Sequence, residues 1–170
     1  MAIRGRLNLN SSFHASFWAI CLTAFFGIFR KAHLLPTSSS TYDPKKQLTR
    51  QDFVVVPSGY VVCIRWSKTI KFHNRSFQIP FVAFPDSLLC PVLAINNAFR
   101  FTTGITTLSQ PFGFLSRSRF TIFTYKKFMS LLSQILAEIG VSSSLYGSHS
   151  FRRGGLPLLL SLEFLLTLSQ

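Results

Sequence analysis

The chain has 170 residues, of which 48% are hydrophobic, and its Lys and Arg total 18 against 5 Asp and Glu, a formal net charge of +13. This length suits one domain, and that apolar content can fill a core, so a disordered polar tail is excluded. A foldable chain so short of acids points to a polyanionic partner: nucleic acid first, an anionic membrane surface second.

In chain order, Phe13 to His33 reads as one mostly buried helix, with Ser11 and Ser12 available to cap its start and Pro36 just past its end. Thr37 to Lys46 is a polar, serine-rich loop closed by Asp43-Pro44. Asp52 to Val56 is β-branched and predicts a strand, and Pro57-Ser58-Gly59 a turn. Tyr60 to Ser67 alternates, with Val62, Ile64 and Trp66 on one side and Val61, Cys63 and Arg65 on the other. After a turn over Phe72 to Arg75, Ser76 to Val82 predicts a third strand, completing a small antiparallel meander. Pro91 opens a helix carrying Val92, Ile95 and Phe99, and residues 102–121 read as loop. After Thr124, the residues Phe128, Leu131, Leu132, Ile135 and Ile139 form one apolar stripe that Gly140 stops. Val141 to Ser148 is a short loop, and His149 begins a further helical segment. The fold class expected is α+β, mainly helical, with a three-stranded antiparallel sheet.

Cys21, Cys63 and Cys90 are far apart and lack metal-ligand spacing, which predicts free thiols in a reducing compartment. The apolar run Phe17 to Phe29 is shorter than the about 20 residues a membrane span needs. Arg30-Lys31 follows it where a signal-peptide cleavage pattern would stand, so an intracellular location is expected.

The segment His149-Ser150-Phe151-Arg152-Arg153-Gly154-Gly155 carries the sharpest chemical signal. A histidine and an arginine three positions apart share one face of a helical turn and can grip a phosphate together. Transfer of a DNA phosphoryl group spreads negative charge over non-bridging oxygens. The planar fork of an arginine stabilises that charge best, and a lysine can protonate the leaving oxygen. Arg30, expected at the end of the apolar helix, and Lys68, expected at the end of the second strand, complete a set of four candidates with His149 and Arg152. Lys45, Lys46 and Arg50 form one candidate phosphate-contacting patch; Lys126 and Lys127, opposing the dipole of their helix, form another; Arg153 is a solvent-facing or DNA-backbone cation. His14, His33 and His73 read as ordinary polar residues.

Three segments appear in a telling order: Ala24-Phe25-Phe26-Gly27-Ile28-Phe29-Arg30-Lys31, Arg65-Trp66-Ser67-Lys68-Thr69-Ile70, and the His149 segment. Together they resemble the catalytic domain of tyrosine recombinases, the phage-integrase superfamily, and most closely those of Crypton- and DIRS-type eukaryotic mobile elements. The likeness runs from about Phe13 to Gly155. It implies Arg30 as the first active-site arginine, Lys68 as the hairpin lysine (with Lys71 as the alternative), and His149 and Arg152 as the His-x-x-Arg pair. It also implies DNA as partner, a nuclear or other intracellular location, and strand transfer through a 3′-phosphotyrosine without metal or nucleotide cofactor. No small-molecule ligand and no membrane partner are expected.

The sequence also departs from that family. His33 stands three positions after Arg30, where the family carries an acid. The four tyrosines, Tyr42, Tyr60, Tyr125 and Tyr146, all precede Arg152, so none matches the nucleophile. Pro157 falls where the family's helix would continue, at a cost of about 3 kcal/mol or more in a helix interior. The expectation is therefore a residual linker or disorder over 1–12, a C-terminally truncated catalytic domain over 13–155, and an aberrant apolar tail over 156–170. That tail is consistent with a frameshift near Gly154 or Gly155. Enzymatic activity of the chain alone is left open, an intact recombinase relative being a second conceivable partner. The alternatives are a non-catalytic DNA-binding remnant and a basic membrane-associated protein using Phe17–Phe29 and Leu156–Leu168 as anchors.

Overall fold

A computed structural model of the chain describes residues 2–65 and 77–143, together with Ser150. Its elements are α1 (Ala2–Gly5), α2 (Ser12–Phe26), α3 (Lys31–Leu34), β1 (Phe53–Val56), β2 (Gly59–Ile64), β3 (Phe77–Val82), α4 (Pro91–Arg100), β4 (Phe114–Ser116), β5 (Arg119–Thr121) and α5 (Tyr125–Glu138). The class is α+β, as expected. The sheet β1-β2-β3 is an antiparallel meander, and β4-β5 is a separate two-stranded hairpin.

The helix α2 is apolar all round, and a helix without a polar face must be central. Every residue from Ala15 to Ala24 is buried, including Ser16, whose hydroxyl donates to the Gly113 carbonyl at 2.9 Å. Phe17 stacks on Phe128 of α5, with ring centroids 5.0 Å apart. The stretch Phe17–Phe29, an alternative membrane anchor by sequence, is thus mostly core; the other candidate anchor lies outside the described residues. No described helix is long and apolar enough to cross a membrane.

Core-facing Phe53, Tyr60, Val62 and Phe81 of the meander lie in register, Phe53 opposite Val62 and Tyr60 opposite Phe81. Pro80, which cannot donate to a ladder, sits on the edge strand β3. The sheet meets α4, whose Pro91 occupies the first turn and whose Val92, Ala94, Ile95 and Ala98 are buried. In α5 the stripe Phe128, Leu131, Leu132 and Ile135 is buried, and the Thr124 hydroxyl accepts from the Lys127 N–H. Gly140 then takes φ +73°, a backbone conformation that glycine adopts without strain. All three cysteines are free.

Four expectations are corrected. The first helix does not run to His33: α2 ends at Phe26, and Gly27 to Arg30 leave the helix. The described residues 2–12 are not disordered. They hold α1, bury Leu7, and receive bonds from Asn97 Nδ2 to the Leu9 carbonyl at 3.1 Å. The stretch 102–121 is not all loop, because β4 and β5 pair across Arg117 and Ser118. Both turn residues have positive φ, 49° and 62°, the geometry of a tight hairpin turn built without its usual glycine or asparagine. Finally, the second strand ends at Ile64 and Arg65 has already left it; Trp66 and Ser67 lie outside the described residues.

Candidate nucleic-acid interface

The path to the site starts where α2 stops. Ile28 takes φ +51°, which is uncommon for a β-branched residue and costs of order 1–3 kcal/mol. That reversal lets Phe29 drop into the core, 2% exposed and stacked toward Phe81, while Arg30 turns out to solvent. Arg30 is therefore not at the C-terminus of the long helix, as its place in the sequence suggests. It is the N-cap of the short α3, and its carbonyl accepts from the His33 N–H at 2.9 Å.

The α3 arm is fastened on two sides. The Leu48 N–H donates to the His33 carbonyl at 2.8 Å, which ties the arm to the 43–48 loop. On the other side, the fully buried Gln110 donates from Nε2 to the carbonyls of Leu34 (3.0 Å) and Phe123 (2.9 Å). Its Oε1 accepts from the Phe123 N–H, so every bond the amide makes is used to join the arm to the lead-in of α5. The Tyr125 N–H closes the seam by donating to the Pro36 carbonyl at 2.8 Å.

Two grooves flank this arm. One, a narrow crevice of about 10 Å³, is lined by His33, Lys45, Lys46, Asp52 and Arg65, among others. The other, about 290 Å³, is lined by Lys31, Leu35, Pro36, Lys46, Gln47 and Tyr125, among others. They share Lys46 and Gln47 and so adjoin. The result is a cationic strip from Arg65 at the end of β2, past Lys45 and Lys46, to Lys31 at the start of α3. Lys31 Nζ lies 4.3 Å from the centre of the Tyr125 ring. Asp43 is the acid at the edge of the strip. Its carboxylate accepts from the Lys45 N–H at 2.9 Å and pairs with Lys46 Nζ at 3.2 Å, and both partners pull its pKa below the ordinary value. That pair is solvent-exposed, and such pairs add little to stability.

Beneath the first groove, Arg65 forms a two-pronged ion pair with the buried Asp52: Nε to Oδ1 at 2.7 Å and Nη2 to Oδ2 at 2.9 Å. Asp52 Oδ2 also accepts from the N–H and the hydroxyl of Thr49, both at 2.8 Å. These bonds fix the exit of β2, where the chain leaves for the segment that carries Lys68.

The sequence-predicted residues divide as follows. Lys45 and Lys46 line the grooves beside α3, whereas the exposed Arg30 lines neither of these two. Lys126 and Lys127 do not join these two grooves: they line another with Phe13, Ser130 and Gln134, and Lys127 Nζ stands 4.8 Å from the centre of the Phe114 ring. Arg50 is not part of a free cationic patch. Its guanidinium donates to the carbonyls of Thr102 (2.7 Å) and Phe99 (2.9 Å) and lies over the Phe99 ring, closing the C-terminal end of α4. Lys68, His149, Arg152 and Arg153 lie outside the described residues. Sequence reasoning missed Lys31, Arg65, Gln110 and Tyr125. Only Lys31, beside Arg30, had a local signal; the others matter through partners distant in the chain.

Among the described residues, no cluster of His, Cys, Asp or Glu could hold a metal ion. No protein-family model, curated protein or solved structure matches the chain.

Proposed function

We propose that this chain is a DNA-binding domain of tyrosine-recombinase type, gripping a phosphodiester backbone along the strip that passes Arg30. The observation that carries this reading is the shared groove between the α3 arm and the exit of β2. It sets His33, three positions after Arg30, near Ile64 and Arg65 at the end of β2, from which the chain continues toward Lys68. Two segments more than thirty positions apart thus meet as a common phosphate site would require. In that site Arg30 and Arg152 would hold the non-bridging oxygens, Lys68 would protonate the leaving oxygen, and His149 would donate a hydrogen bond.

Two of the three described tyrosines, Tyr42 and Tyr60, suit structure better than nucleophilic attack. The Tyr42 hydroxyl donates to the carbonyls of Leu108 (3.0 Å) and Leu48 (3.3 Å), and that of Tyr60 donates to Asn96. Burial raises the pKa of both, assisted at Tyr42 by the Asp52 carboxylate. All four tyrosines precede Arg152, so strand cutting of the recombinase kind would need a tyrosine from another chain, and this chain by itself would bind DNA without cleaving it. A DNA partner would place the protein in the nucleus or elsewhere inside the cell.

The test is the salt dependence of duplex affinity. Each phosphate contact contributes about 0.9 to the slope of log K against log salt. The Lys45→Gln, Lys46→Gln double variant should therefore lower the slope by about 1.8, and Arg30→Ala should weaken binding without lowering the melting temperature, because Arg30 is exposed. Binding that ignores both salt and these substitutions would remove the reading. A covalent adduct trapped on any of the chain's tyrosines with a nicked substrate would remove the non-cleaving part alone.

A further inference from the structure

The groove between the α3 arm and the start of α5 differs in chemistry from a backbone-tracking strip. Its floor is apolar: Leu35 and Pro36, both buried, with the ring of Tyr125 beside them. Its rim is polar, formed by Lys31, Lys46 and the amide of Gln47. A phosphate alone has no use for the apolar floor, and an aliphatic ligand has none for the two cations. A planar base attached to a phosphate uses both. The volume, about 290 Å³, sits at the bottom of the range for small-molecule sites, about 300–1,000 Å³, and suits one base better than a base pair. The floor is also held rigid, because Leu34, Pro36 and Tyr125 are all joined through the Gln110 and Tyr125 main-chain bonds. Asp43, at the same rim, has its carboxylate engaged by Lys45 and Lys46, and can still accept from an exocyclic amine.

From this combination we propose that the groove receives one unpaired nucleobase of the bound DNA, the base lying against Leu35, Pro36 and Tyr125 and its phosphate meeting Lys31 and Lys46. This rests on the DNA-binding reading above. Aromatic contact with a splayed base is sequence-tolerant and adds substantially to affinity. The cations on both sides of the groove favour a base still linked to its strand over a free nucleotide.

Two duplexes of the same sequence, one fully paired and one with a single bulged adenine, test the idea by fluorescence anisotropy at fixed salt. The bulged duplex should bind about 5- to 100-fold more tightly. Tyr125→Phe should keep that preference and Tyr125→Ala should abolish it. Ala32→Leu offers a second route should Tyr125→Ala fail to fold: Ala32 is exposed and lines the groove, so added bulk there should also erase the preference. Equal affinity for the two duplexes, or a preference that survives either folded variant, overturns the proposal while leaving the paired-duplex reading intact. Loss of salt-dependent binding to both duplexes overturns the two together. Free dAMP that binds more tightly than the bulged duplex assigns the groove to a free nucleotide and equally overturns it.

Discussion

Replacing Asp52 by alanine is the sharpest probe of how the site is built. The carboxylate is 3% exposed and receives four contacts: two from Thr49 and two from Arg65. In Asp52→Ala the Thr49 N–H and hydroxyl, in a fully buried residue, lose their acceptor. Each orphaned buried group costs about 1–3 kcal/mol. Arg65 loses less, because 45% of its side chain already faces solvent and it can rehydrate. The sum is about 3 kcal/mol, which for a chain of this length corresponds to a fall in melting temperature of roughly 6–12 °C. Arg65→Ala should cost about 2 kcal/mol, because it leaves the buried carboxylate with Thr49 alone. Because the two share one interaction, the double variant should fall well short of the sum. Urea unfolding followed by circular dichroism measures all three. A change below about 0.5 kcal/mol in Asp52→Ala, the range of ordinary surface substitutions, would refute the argument that this pair anchors the exit of β2.

Other outcomes follow from the same structure. Gln110→Ala should destabilise by about 2–4 kcal/mol, since it strips bonds from Leu34 and Phe123 in a buried setting, and it should weaken DNA binding by loosening the α3 arm; chemical denaturation and anisotropy read the two effects. Gly59→Ala should destabilise by more than about 1–3 kcal/mol, because Gly59 has φ +145° and an added Cβ would overlap the Phe81 carbonyl; melting temperature checks this. Alkaline pH should also unfold the protein early. Folding raises the pKa of Tyr42 and Tyr60, so their contribution to stability is fully present below the ordinary phenol value of about 10 and is lost as pH rises through the folded values. Phenolate absorbance during a pH titration should show late-titrating tyrosines, and Tyr42→Phe should remove part of that late signal.

Several elements were legible because their signal is local. The stripe of α5, the Pro91 start of α4 and the alternation of β2 each repeat at the period of their own backbone. The hairpin β4-β5 was not legible, since three-residue strands give almost no alternation and Arg117-Ser118 is not a usual pair for its turn. The break at Gly27 was hidden by apolar residues running on through Phe29, which looks like helix but is core reached by a backbone reversal at Ile28.

The sequence by itself determined that this protein has one apolar central helix, a small meander, a capped amphipathic helix and a large excess of cations, because composition and short-range periodicity carry that information. Tertiary structure alone decided which partner each cation meets. Arg50 and Arg65 look as available in the sequence as Lys45 and Lys46, yet one closes the end of α4 and the other is held by Asp52. Whether a charge meets a carbonyl, a buried carboxylate or water depends on residues brought near by folding, and no local pattern in the chain specifies those partners.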